Sequence, residues 1–172
     1  IEQNKVLGII GPQASKQAIP AGEVANANKT PMISPWSTNP ATTLNRPYVF
    51  RACFLDPFQG EVVAALAREL GAEKSAVLYD VGNDYSQGLR EFFMASYGEY
   101  GGKVVADLGF RGGQDVDFRA QLTEIRDKAA DVLVLPNMGK EMALIMKQAR
   151  ELGLNEIVFV GGDGYGEFMW AI

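Results

Sequence analysis

The chain has 172 residues, of which 47% are apolar and 22% charged, with a net charge of -5 at pH 7. This is the make-up of a globular protein with material for one domain or two small lobes, and it excludes a disordered or fibrous chain. Lys and Arg are scattered, so the basic stripe needed to grip a phosphate backbone is missing and nucleic acid is not expected as a partner.

In chain order, Val6-Leu7-Gly8-Ile9-Ile10-Gly11-Pro12 reads as a short buried strand ending in a Gly-Pro turn. Ser15 can cap the following helix, which runs to about Asn28, with Pro20 expected in its first turn and Ala18, Ile19, Ala21, Val24 and Ala25 on its apolar side. Pro31 to Ser34 is the next strand. It leads into Pro35-Trp36-Ser37-Thr38-Asn39-Pro40, a turn that is stiff, polar and aromatic at once, because proline fixes its own φ and biases its predecessor to an extended shape. Such a turn suits a ligand wall, or is a plain loop with incidental hydroxyls. Tyr48 to Phe54 is a third strand, in which the lone Cys53 has no internal disulfide partner and reads as a small buried hydrophobe.

Asp56-Pro57 starts a helix, with Asp as cap and Pro at the first helical position. Val62, Val63, Leu66 and Leu70 follow at helical period until Gly71 ends it. Even its apolar run 62–67 falls short of a membrane span. A regular alternation follows: strand Ser75 to Tyr79, helix Ser86 to Tyr100 and strand Lys103 to Leu108. After these come a helix opened by Asp117 with Phe118, Leu122 and Ile125 on one face, and strand Asp131 to Leu135. A helix from Lys140 to Leu152 buries Met142, Ile145, Met146 and Ala149, Gly153 stops it, and Ile157 to Val160 is the last strand.

Repeated strand-helix units with near-continuous apolar strands imply an α/β fold with a mostly parallel sheet covered on both faces. Right-handed crossovers place the strand-to-helix loops along one edge, where open α/β sheets bind ligands. Those loops are Pro12–Ser15, Trp36–Thr38, Asp80–Ser86, Pro136–Gly139 and Gly161–Gly166. The distribution of elements, three strands with one clear helix and then four regular strands, also suggests two lobes, 1–54 and 55–172, with a short hinge near 51–56.

Without any His, triads and His-containing metal sites are excluded, and one Cys excludes a thiolate cluster. Gly162-Asp163-Gly164-Tyr165-Gly166 lacks the spacing and the following strand-helix unit of a dinucleotide fingerprint, and no phosphate-binding Gly-Lys-Ser/Thr is present. No cofactor and no enzymatic activity are expected. Recognition remains. Hydroxyls and helix-terminal amides at Ser15, Ser37 and Thr38 suit a carboxylate, Asp163 suits an ammonium group, and Trp36 and Tyr85 supply rigid faces between them. Purely structural roles are open to each: Ser15 as a cap, Asp163 as a turn residue, Tyr85 as a surface turn side chain.

Ile9-Ile10-Gly11-Pro12 with Ser15, Pro31-Met32-Ile33-Ser34-Pro35 running into Ser37-Thr38-Asn39-Pro40, Asp84-Tyr85-Ser86-Gln87-Gly88, Asp117-Phe118 with Leu122, and Ala149-Arg150-Glu151-Leu152-Gly153 occur in this order. Together they resemble the Leu/Ile/Val-binding-protein-like branch of the type I periplasmic solute-binding proteins. The resemblance implies two α/β/α lobes that close on an amino acid held between them, here one partial lobe and one nearly complete. It implies that Ser15 holds the ligand carboxylate, that Ser37 and Thr38 touch carboxylate and ammonium, that Tyr85 covers the ligand and that Asp163 faces the ammonium. Trp36 stands where the family often has a small residue, and Met138 where another aromatic is frequent.

The same resemblance implies a periplasmic or extracellular protein, with or without a lipid anchor, that serves the permease of an ABC transporter. Alternatives are a binder of amide, urea or short carboxylate ligands on the same scaffold, or a flavodoxin-like protein-interaction domain. Family members are roughly twice this length, so this chain looks like their middle. The first lobe is then expected to leave apolar surface for self-association, or for chain segments outside this sequence.

Overall fold

A computed structural model describes Ile1 and residues 3–165. The chain divides into two compact units: Ile1–Asp56 with Asn83–Tyr85, and Pro57–Gly82 with the described residues from Ser86 onward. Each has its own parallel sheet, so the single sheet suggested by the alternation is resolved into two.

In the first unit, strands β1 (Ile9–Ile10), β2 (Met32–Ser34) and β3 (Val49–Arg51) lie in that order. Helix α1 (Ser15–Ala27) connects the first two, and a 3-10 turn over Pro40–Thr42, not foreseen in the sequence, precedes the third. Ala25, Met32 and Val49 form a small core, with Ile9 and Ala21 against it. The opposite sheet face is apolar and uncovered among the described residues. Ile10 pairs with Ile33, Ile33 pairs with Phe50, and all three are exposed, Ile10 by 89%. The first strand is therefore not buried as expected, because alternate residues of a strand point to opposite faces and only one face here meets a helix.

Two expectations for α1 need correction. Ala14, not Ser15, is its N-cap, and Ser15 is the first helical residue. Pro20 lies inside the helix rather than in its first turn, and the buried stripe is Ser15, Ala18, Gly22 and Ala25, with Val24 exposed.

The second unit has sheet order β5-β4-β6-β7, built from β4 (Lys74–Asp80), β5 (Lys103–Phe110), β6 (Val132–Val134) and β7 (Val158–Val160). Its helices are α2 (Asp56–Glu69) from Pro57 onward, α3 (Asp84–Glu99) from Ser86 onward, α4 (Arg119–Asp127) and α5 (Lys140–Glu151). Residues of α4 and α5 pack on one sheet face with Ala76, Leu78 and Leu133. Those of α2 and α3 pack on the other with Val77, Val132 and Val134. This is a three-layer α/β/α arrangement. Phe118, Leu122 and Ile125 are fully buried on one face as expected, each contributing about 1.5–3 kcal/mol. Phe118 itself caps α4, and Asp117 accepts from the Arg119 amide at 3.1 Å.

The face of α2 differs from expectation. Val63, Ala64 and Ala67 are buried, whereas Val62, Leu66 and Leu70 are exposed. The reason is close helix packing: a Cβ on Gly60 would lie 2.6 Å from Phe92 Cβ, so small residues take the contact with α3.

Candidate functional site

The polar turn of the first unit is built by side chains that bond its own backbone. Ser34 closes β2, donates to the Pro12 carbonyl at 2.6 Å and accepts from the Ser37 amide at 3.1 Å. Asn39 caps the 3-10 turn by accepting from the Ala41 amide at 2.9 Å. Ser37 then donates its hydroxyl to Ser15 Oγ at 3.0 Å and lies 2.5 Å from Thr42 Oγ1. Since Ser37 has one proton and gives it to Ser15, Thr42 supplies the other bond. Ser15 also accepts from the Asn39 amide at 3.4 Å, and its own proton has no acceptor among the described residues.

Thr38 is 1% exposed, and its hydroxyl has no partner among the described residues. Its carbonyl accepts from the amide of Asp56, the last residue of the same unit's first segment, at 3.0 Å. Trp36, in the same turn, is 47% exposed. Tyr85 is 4% exposed; its segment clusters with the first unit, and its amide donates to Asn83 Oδ1 at 3.1 Å.

In the second unit, the loops after β6 and β7 meet. Gly139 donates to the Gly164 carbonyl at 3.4 Å, and a Cβ on Gly164 would come 2.1 Å from the Asn137 carbonyl. Met138 and Asp163 thus sit on adjoining loops, Met138 38% exposed and Asp163 partly buried with its amide held by Gln59 Oε1. Asn137 ties this corner together. Its amide donates to the Leu78 carbonyl at 2.7 Å, and its oxygen accepts from Ser86 at 2.7 Å and from the Asp80 amide at 3.0 Å. Burial pushes the Tyr165 phenol well above its ordinary pKa. Gly166, the last residue of the expected loop, lies outside the described residues.

The structure therefore joins Ser15 and Ser37 directly, sets Thr38 and Trp36 beside them, and sets Met138 and Asp163 side by side. Sequence reading missed Thr42, Arg51, Gln59 and Asn137. Only Arg51 carried a signal there, as a charge ending the apolar run Tyr48-Val49-Phe50. A separate cleft of about 380 Å³ in the second unit is lined by Leu70, Gly71, Asp131, Glu156 and Val158 among others. It lies at the amino ends of β6 and β7, away from Met138 and Asp163, and its Asp131 carboxylate is taken up by the Glu73 and Lys74 amides. Ligands of open parallel sheets bind at the carboxyl ends, so this cleft is not the site favoured here.

Each unit has a parallel sheet with polar loops at the carboxyl ends of its strands, where open α/β sheets bind ligands. The chain belongs to the periplasmic binding protein family, whose profile matches residues 1–172. It is 34% identical over 166 residues to an amino acid binding protein of Pseudomonas aeruginosa, covering 95% of this chain and 44% of that one. The leucine-binding protein LivK of Thermotoga maritima superposes with a TM-score of 0.88 at 43% identity, over 95% of this chain and 46% of that one. LivJ of Streptococcus pneumoniae, solved in complex with isoleucine, gives 0.85 at 35% identity, over 98% and 48%. The chain spans just under half the length of these relatives. The fold is that of the type I periplasmic binding proteins, which bind solutes and carry out no reaction on them.

Proposed function

We propose that this chain supplies the binding groups of a receptor for a small amino acid or related zwitterion, which passes it to the permease of an ABC transporter outside the cytoplasmic membrane. The observation that carries the reading is Thr38, buried to 1% exposure with a hydroxyl that has no partner among the described residues. Leaving such a group unpaired costs about 1–3 kcal/mol, and a ligand carboxylate recovers it. Ser15, at the end of the Thr42–Ser37–Ser15 relay, offers the carboxylate a second proton. Asp163 meets the ammonium, Tyr85 covers the ligand, and Trp36 and Met138 bound the side-chain space. Segment 51–56 acts as the hinge, and closure desolvates both charged ends once they are paired. The relatives' names, which specify amino acids and leucine, support this ligand class. The protein works in the periplasm or outside the cell, free or tethered by a lipid.

Thermal-shift measurements with L-leucine, L-leucinamide, isovalerate and acetamide test the reading. A rise of roughly 5–10 °C at saturating leucine, lost in Asp163→Ala, is expected. A response to acetamide or isovalerate without one to leucine points to an amide or carboxylate receptor instead, and no response to any of them contradicts the reading.

A further inference from the structure

Arg51, the last residue of β3, donates to the carbonyls of Ser37 at 2.6 Å, Asn39 at 2.9 Å and Pro40 at 3.1 Å, and to the Thr43 hydroxyl at 2.7 Å. All four partners lie in the turn that carries Thr38, and all are uncharged. None of the ion pairs among the described residues includes Arg51. Burial is the largest influence on the Arg51 guanidinium and lowers its pKa, while Cys53 and Asp56 act in the opposite direction. A guanidinium fixed by neutral carbonyls keeps its charge, with only part of its field offset by the nearby Asp56 carboxylate, and its planar fork matches several acceptors at once. Its bond to the Ser37 carbonyl also polarises the Ser37–Thr38 peptide, whose N–H donates to nothing among the described residues.

We infer that Arg51 is a positioning residue with a second effect: it shapes the Ser37–Thr43 turn and gives it a preference for a ligand that carries a carboxylate over the same ligand as a neutral amide. Ser37, Asn39 and Pro40 could have been held by a neutral donor, but only a cation adds discrimination by charge. The inference rests on the proposed amino-acid site.

Calorimetric titration of L-leucine and L-leucinamide into the chain, Arg51→Lys and Arg51→Gln tests it. The expected ratio of leucine to leucinamide affinity is kept in Arg51→Lys and falls about tenfold in Arg51→Gln, although both variants bind more weakly than the parent. An equal loss for both ligands, with the ratio unchanged in Arg51→Gln, reduces Arg51 to a structural role and overturns the inference while leaving the amino-acid site standing. A parent that binds neither ligand overturns both. Should Arg51→Gln fail to fold, the Thr38 amide proton of the parent gives the answer by NMR. It is expected to move downfield with leucine and not with leucinamide, and an equal movement with both overturns the inference.

Discussion

Ser37 donates its hydroxyl to Ser15 at 3.0 Å across 22 residues of sequence, and so fastens the loop after one strand to the first turn of the helix that follows another. Both groups are buried, so the bond is not interchangeable with water. Ser37→Ala leaves the Ser15 and Thr42 hydroxyls each short of a partner. The expected loss is about 1–3 kcal/mol of stability, measured by urea denaturation. Ser37→Thr, which keeps the hydroxyl, is expected to lose less.

Asn137 holds the loop after β6 to β4 and to the start of α3 through the Leu78 carbonyl, the Asp80 amide and Ser86. Asn137→Ala takes one bond from the Leu78 carbonyl and the acceptor from the Ser86 proton, although Ser86 Oγ still accepts from the Asp80 amide at 2.9 Å, and a loss of about 1–3 kcal/mol is expected. Faster amide hydrogen exchange at Asp80 is the accompanying sign.

Gly164 permits the contact between the two loops that bear Met138 and Asp163. Gly164→Ala sets a methyl against the Asn137 backbone, which cannot swing away as a side chain would. A loss of about 1–3 kcal/mol is expected, as for other overpacked positions, together with weaker ligand binding because the Asp163 loop is displaced. A melting temperature equal to the parent's would show that the loops separate at no cost.

The row Ile10, Ile33 and Phe50 leaves one face of the first sheet apolar and exposed among the described residues. Large apolar patches drive association. The isolated chain is expected to gain mass with concentration in light scattering, and Ile33→Lys with Phe50→Lys to remain monomeric. A parent that stays monomeric over the same range contradicts this.

The strand-helix alternation was legible because long buried strands and strongly periodic helices such as α4 and α5 announce themselves by apolar spacing, and because Gly71 and Gly153 stop their helices in left-handed conformations, at φ +82° and +81°. The face of α2 is not legible from its large apolar residues, because Gly60 lies against Phe92 and the small Ala64 and Ala67 take buried positions while Val62 and Leu66 stay exposed. The polar turn was visible from its prolines and hydroxyls. Its supports were not: Arg51 reaches Ser37 across 14 residues, Asn137 reaches Asp80 across 57, and Gln59 reaches Asp163 across 104. Polar residues with distant partners leave no periodic trace in a sequence.

Thr38→Val separates binding from folding most directly, since valine keeps the shape of threonine and removes only the buried, unpartnered hydroxyl. Titration calorimetry with L-leucine is expected to show affinity reduced by about tenfold to a hundredfold, while the unliganded variant melts no lower than the parent. Leucine binding in Thr38→Val as tight as in the parent, or no binding by the parent at all, would contradict the assignment of this turn as the grip on an amino-acid carboxylate.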